Sequence, residues 1–329
     1  MSKPKSAAVW CVVLLVLQPV AASAQQQAAR DYPSRPIRLV VPYAAGGPMD
    51  FIGHVLGNKI GPVLGQNLLV DNRPGAGGSI GTAVVAKAPP DGYSILLTSS
   101  SHASLPSVLK SLPYDAIKDF APITLVANSV GFLLVVHPSL PARSVAELVA
   151  LAKAHPGELS YGSGGVGNVM QFAAESFNQM AGTKISHVPY KGVGQAIIDL
   201  VGGRIDLSFV PGTAGLPYIK SGKLRALGIA APARWSLLKD VPTINEAGVK
   251  GYKYAPWYGL WFPAGTPQAY VARIHSEVVK ALEDPEVKRA FADQGFITVG
   301  STPGEFTKAI REELEFNRGL VAKIGLTPQ

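Results

Sequence analysis

Two glycine-rich stretches spell the motifs of chemistry. Gly162-Ser163-Gly164-Gly165-Val166-Gly167 matches G-x-G-x-x-G, in which glycines let a backbone turn approach a dinucleotide pyrophosphate at a helix N-terminus. That use also needs an acid at the end of the following strand to hold a ribose hydroxyl, and Ile185-Ser186-His187-Val188-Pro189 ends without one. Gly77-Gly78-Ser79-Ile80-Gly81 matches G-x-S-x-G, the turn that exposes a nucleophilic serine directly after a strand. Here Asn72-Arg73-Pro74-Gly75-Ala76 intervenes after Val70-Asp71, and the one late histidine, His275, falls on a helical stretch. The six histidines show no H-x-x-x-H or H-E-x-x-H spacing, and the single cysteine is Cys11. No catalytic residue, metal site or cofactor is expected, and an enzyme, whether hydrolase or dinucleotide-dependent, stands as a distant alternative.

A second kind of chemistry fits the same loops. Tyr-x-x-Gly-Gly is written twice, at Tyr43-Ala44-Ala45-Gly46-Gly47 and at Tyr161-Gly162-Ser163-Gly164-Gly165, each time between a β-like and a helix-like run. The first N–H groups of a helix lack internal partners and carry a partial positive charge, so such a turn suits an anion. Pro48 fits the first helical position at the loss of one donor, Ser163 offers a side-chain contact, and Asn168 is a good N-cap. The turns read either as tight strand-to-helix connections or as two facing half-sites for one anionic ligand. On the second reading, a bulky residue at Gly47 or Gly165 blocks binding more than folding.

The elements that must hold these loops alternate strand and helix, the pattern of an α/β fold with largely parallel sheets. Ile37–Pro42, Asn67–Asp71 and Tyr93–Thr98 are predicted strands, with helices over Asp50–Ile60 and Ile80–Ala88. After a connecting strand, Gly131–His137, and a helix capped by Ser144 and Glu147, the alternation restarts. Its strands are Leu159–Tyr161, Ile185–Pro189, Ile205–Val210 and Leu224–Ala230, and its helices Val169–Met180, Gly194–Gly202 and Leu216–Ser221. Two amphipathic helices, Gln268–Leu282 and Gly304–Ile324, close the chain. The aromatic stretch Tyr252–Trp261 is expected at a hinge where the chain crosses back. The domain reading is an export signal over 1–24, a first lobe over 32–130, a second over 131–255, and a hinge return with the rest of lobe one over 256–329.

The export signal rests on Lys3 and Lys5 ahead of the apolar run Ala7–Val20 and on Ala22-Ser23-Ala24, with cleavage expected before Gln25. Loss of the two lysines takes the formal charge from +8 to +6. Lys and Arg are spread singly and only 16% of residues are charged, which argues against a nucleic-acid surface and for attraction of small anions.

Many ordered stretches resemble one family. They include Val41-Pro42-Tyr43-Ala44-Ala45-Gly46-Gly47-Pro48-Met49-Asp50, Asp71-Asn72-Arg73-Pro74-Gly75-Ala76-Gly77-Gly78, Lys87-Ala88-Pro89-Pro90-Asp91-Gly92-Tyr93, Val188-Pro189-Tyr190-Lys191-Gly192 and Pro263-Ala264-Gly265-Thr266-Pro267. Across essentially the whole mature chain they are similar to the periplasmic solute-binding proteins of tripartite tricarboxylate transporters, the Bug family. The resemblance implies a type II periplasmic binding protein fold: two lobes, each a mostly parallel sheet flanked by helices, with a cleft that closes on a small organic carboxylate. It implies delivery to the permease subunits of a tripartite transporter; a sensory or orphan binder serving a receptor is the alternative. A monomer is expected. The ligand site expected from the loops and the resemblance comprises Tyr43, Ala45, Gly46, Gly47, Asp50, Ser100, His102, Ser163, Gly164, Gly165, Gly167, Asn168, Gln171, Tyr190 and Val210. Asn168 and Gln171 stand where many members carry Ser and His, and Val210 where many carry Asp, which weakens the case for an amino-acid ligand. His102 reads either as a contact or as a packing residue. Trp257 and Tyr258 either cover an apolar ligand body or pack the hinge.

Overall fold

Ile37–Val41 is apolar except for Arg38, and strand β1 forms there with both faces covered, as an interior parallel strand requires. The structure is a computed structural model that describes residues 32–252 and 254–324. The export-signal reading over 1–24, with Cys11, lies outside the described residues. Parallel to β1 run β2 (Leu68–Asn72) and β3 (Ser94–Ser99), so that Leu39 is level with Val70 and Ile95. Helices Pro48–Leu64 and Ser79–Ala86 lie on the chain path between these strands.

The remaining strands are β4 (Phe120–Ser129), β5 (Phe132–Val136), β6 (Ser160–Ser163), β7 (Ser186–Pro189), β8 (Leu207–Pro211), β9 (Arg225–Ala230), β10 (Trp257–Pro263) and β11 (Phe296–Thr298). They complete two sheets, ordered β11-β4-β10-β3-β1-β2 and β7-β6-β8-β5-β9. The sheets share a plan. In each, three parallel strands (β2-β1-β3 or β7-β6-β8) meet an antiparallel strand that is the first one after a crossing from the other lobe (β10 or β5). Beyond it lies the last strand before the chain leaves the lobe, β4 or β9. The expected two-lobed α/β architecture is present.

The two crossings lie side by side, where Ser129 N–H donates to the Pro256 carbonyl at 2.8 Å and Val130 N–H to that of Gly295 at 2.8 Å. The aromatic stretch is therefore only partly hinge. From Trp257 onward it is β10, inside the lobe-one sheet, and Trp261 is fully buried there. Sequence reasoning also omitted β4, β11 and the helices Ser101–Val108 and Pro285–Asp293. Pro122 argues against a central strand. The sheet accommodates it at a bulge, where the β10 register shifts between Leu260 and Trp261, the latter opposite Pro122.

The C-terminal helix, Pro303–Ile324, ties the lobes together. Phe306 and Ile310 enter the core of lobe one beside Trp257 and Trp261, whereas Leu320 and Val321 enter that of lobe two. Between them, Glu313 is held at the joint near Tyr254, Trp257 and Asn317. Burial pushes its carboxyl above the ordinary range, with contacts to Asn317 and Trp257 opposing part of the shift. A native carboxyl with a raised pKa binds its proton more tightly than the unfolded chain does. Its contribution is present below the unfolded value and is lost as pH rises through the native one. Glu313→Gln should therefore gain stability over the parent at pH 8 and little at pH 4, read from paired thermal unfolding curves. An equal gap at both pH values would contradict a buried, titrating Glu313.

Candidate functional site

The loop after β1 is built to stay open. The Tyr43 hydroxyl donates to the Gly77 carbonyl at 2.7 Å, and Asn72 Nδ2 donates to the Tyr43 carbonyl at 3.1 Å. The Asp50 carboxylate accepts from Gly46 N–H at 3.0 Å and from Asn72 Nδ2 at 3.2 Å, so it holds the loop from behind. Gly47 is the N-cap of the Pro48 helix and offers no side chain. The N–H groups of Met49 and Asp50 consequently have no acceptor among the described residues.

The glycine-rich loop after β6 is built the opposite way. Gly165 N–H donates to Ser163 Oγ at 3.1 Å, Gly167 N–H to Gln171 Oε1 at 2.7 Å, and Met170 N–H to Asn168 Oδ1 at 2.9 Å. Asn168 and Gln171 donate to backbone carbonyls, and Val169 N–H donates at 3.2 Å to Ser101 Oγ of the other lobe. Ser163 Oγ also meets His187 Nε2 at 2.6 Å. Burial lowers the His187 pKa to about 4, so this ring is neutral at ordinary pH. The Gly165 and Gly167 donors of the G-x-G-x-x-G match are thus consumed by their own chain, whereas Gly164 N–H, on the cavity side, and Val166 N–H have no acceptor among the described residues.

The repeated Tyr-x-x-Gly-Gly is not a repeat in structure. Tyr43 stands two residues past the end of β1, while Tyr161 is the second residue of β6 and donates its hydroxyl to Glu175 at 2.6 Å. The N-caps that correspond are Gly47 and Asn168.

Between the lobes lies a cavity of ≈ 290 Å³. Four N-cap residues line it: Gly47, Asn168, Gly192 and Pro211. Helix Val193–Val201 has no side-chain cap, and its Val193, Gly194 and Gln195 N–H groups have no acceptor among the described residues. The open donors of lobe two therefore come mainly from this turn, with Gly164 N–H beside them. No charged side chain is on the wall, and Met49, Phe132, Val169, Met170, Val193, Ile198 and Tyr258 make most of it apolar.

Of the expected site residues, the cavity wall gathers Tyr43, Ala45, Gly47, Gly164 and Asn168. Asp50, Ser163 and Gln171 hold the loops instead. Gly46 is exposed, and Gly165 and Gly167 face lobe one, where Gly77, Leu105 and Val108 approach them. His102 is corrected to a packing residue. Its Nε2 lies 2.7 Å from the Ala116 carbonyl, its ring packs 4.8 Å from those of Phe120 and Trp261, and burial lowers its pKa to about 4. Ser100 is off the wall and its neighbour Ser99 is on it. Val210 likewise points into the lobe-two core while Pro211, next along the strand, reaches the cavity. Tyr190 turns away and donates its hydroxyl to Asp199 at 2.8 Å. The wall residues that sequence reasoning missed divide in two. Gly192–Gln195 follow the carboxyl end of β7 and Pro211 is the carboxyl end of β8, so the rule that pointed to Tyr43–Pro48 reaches them as well. Phe132 opens β5, a strand that arrives from the opposite lobe, and no local pattern marks it. Tyr258, the second residue of β10, reads in the sequence as a ligand cover or as hinge packing, and it is on the wall.

The lobes touch over the cavity. Ser104 Oγ donates to the Gly167 carbonyl at 2.6 Å, and Gly77 lies so close to Val166 that a Cβ there would stand 2.2 Å from the Val166 carbonyl oxygen. This is a closed arrangement.

The family model described as "Tripartite tricarboxylate transporter family receptor" matches residues 52–326. The chain belongs to this family. BugT of Bordetella pertussis is 37% identical over 300 residues, covering 90% of this chain and 91% of BugT. The solved periplasmic binding protein BugD superposes with a TM-score of 0.86 at 32% identity, covering 91% of this chain and all of that one. R. palustris Rpa4515, solved with adipate, superposes with a TM-score of 0.88 at 32% identity and the same coverage. As a member of the tripartite tricarboxylate receptor family this chain is a periplasmic solute-binding protein and not an enzyme. Among the described residues no three His, Cys, Asp or Glu are grouped as a metal site.

Proposed function

We propose that this protein captures a small organic carboxylate between its lobes and delivers it to the permease subunits of a tripartite tricarboxylate-type transporter. The observation that carries the reading is the convergence of four helix N-termini on one uncharged cavity. Oriented N–H groups and helix dipoles stabilise an anion there without a basic side chain. Adipate in the related Rpa4515 supports the ligand class. Lys3, Lys5 and the Ala7–Val20 run support export as the route to the periplasm. Closing the lobes presents a changed surface to the membrane partner.

Thermal unfolding of residues 25–329 against mono-, di- and tricarboxylates, amino acids, sugars and dinucleotides tests this. A ligand at about 100 times its dissociation constant adds about 2.7 kcal/mol, a shift of several degrees. A shift confined to carboxylates is expected; one confined to sugars or dinucleotides would overturn the reading.

A further inference from the structure

Asn168 supplies an observation that the loop argument does not use. It is 5% exposed and lines the cavity, and its Oδ1 is committed to Met170 N–H at 2.9 Å. The Nδ2 group, with two hydrogens, is thereby fixed as the donor end; the Tyr43 hydroxyl, which donates its own hydrogen to Gly77, lies beside it and leaves at least one of those hydrogens for a ligand. Around the same space stand the open N–H groups of Met49, Val193 and Gly194, on helix turns from both lobes. The Tyr258 hydroxyl, on a residue 2% exposed, also has no hydrogen bond among the described residues. The unpaired side-chain and N–H groups named here are neutral donors or a hydroxyl.

What the wall omits narrows the ligand further. It carries no Lys, Arg or His, so an anion is met by N–H donors alone, and a second carboxylate would need a set of them beyond the donors that hold the first. It carries no Asp or Glu, so an α-ammonium would be unmet. Phe132, Met170, Ile198 and Pro211 present apolar surface, and ≈ 290 Å³ is at the small end of ligand pockets, about 300–1,000 Å³.

Resting on the carboxylate reading above, we infer that the ligand is a monocarboxylate with a compact apolar body. Its carboxylate sits between Asn168 Nδ2 and the open N–H groups of the Pro48 and Val193 helices, and its body lies against Phe132, Met170 and Ile198. This separates the protein from Rpa4515, whose adipate carries two carboxylates.

The test pairs acids of one skeleton by isothermal calorimetry on residues 25–329: hexanoate against adipate, benzoate against terephthalate, with hexanamide as the neutral control. At least one monocarboxylate should bind about ten-fold or more tighter than its dicarboxylate partner and than hexanamide. Equal or tighter binding of the dicarboxylates would overturn the inference and leave the carboxylate reading standing. Binding of none of the acids, or of hexanamide as well as hexanoate, would overturn both. Asn168→Asp adds a second arm. An aspartate keeps the N-cap oxygen for Met170 and suits a helix N-terminus, but turns the free donor into a negatively charged acceptor. The preferred monocarboxylate should bind this variant about ten-fold or more weakly, with the variant still folding in a single cooperative transition. Unchanged affinity would remove Asn168 from the anion seat.

Discussion

Gly77→Ala should lose about 100-fold in ligand affinity while folding almost as stably as a matched control. A Cβ at Gly77 would stand 2.2 Å from the Val166 carbonyl oxygen and 3.2 Å from Leu105 Cδ2. The first contact is with backbone across the lobe boundary, so the clash is relieved by the lobes moving apart and not by a rotamer change. An overpacking penalty of about 3 kcal/mol placed on the closed state alone lowers its population, and apparent affinity falls about 100-fold. Gly77 also has φ +65°, where any side chain costs about 1–2 kcal/mol in the folded state. Gly222→Ala supplies the control, because Gly222 has φ +71° with no atom within 4 Å of the added carbon. Both variants share the backbone term and only one meets the other lobe. Calorimetry with the carboxylate that stabilises the parent most should show normal affinity for Gly222→Ala. If Gly77→Ala bound that ligand as the parent does, closure through the Gly77 to Val166 contact would not be part of capture.

Local chemistry made part of this site legible. The β1 and β6 runs, Pro48 at a helix start and Asn168 as an N-cap are decided within a few residues, and the structure has each of them. The carboxyl-end rule found one side of the cavity because it depends only on strand order and direction. What it could not supply was the fate of each donor. Whether the Gly162–Gly167 loop keeps its N–H groups for a ligand depends on Gln171 folding back and on Ser101 arriving from the other lobe, which are tertiary facts. The same limit explains His102. Histidine beside Ser99 to Ser101 at a strand end reads as a site residue, but its ring direction is set by Tyr114, Phe120 and Trp261, two of which lie on strands distant in sequence. The helix Ser101–Val108 hid for a related reason. It is buried nearly all round and contains Pro106, so it has neither an amphipathic period nor a helix-forming composition. Spelling was a poor guide to equivalence as well: the two Tyr-x-x-Gly-Gly stretches lie in matching connections but out of step, and strand pairing aligns them where letters do not.

The C-terminal helix leads to the largest expected loss of stability. Phe306 is fully buried, with its ring 4.7 Å from that of Trp261 and 5.4 Å from that of Trp257. It fills the space left open by Gly259, where a Cβ would stand 2.1 Å from Phe306 Cζ. Neither β10 nor the helix can close that space without dragging the tryptophans, so Phe306→Ala should leave a cavity and destabilise by about 3–5 kcal/mol. In a chain of this size the unfolding temperature falls on the order of 10 °C. Phe316, on the same helix but 56% exposed, is the internal comparison, and Phe316→Ala should stay within about 0.5 kcal/mol of the parent. The consequence extends past lobe one. Leu320 and Val321 anchor the far end of this helix in lobe two, so loosening its first turns weakens a strap that runs past the paired crossings at Ser129 and Pro256. Hydrogen exchange should then show faster opening at Leu320 and Val321 in Phe306→Ala, although the substitution is some four turns away along the helix. Exchange there at the parental rate, with stability lost only in lobe one, would mean that the two ends of the helix are anchored independently.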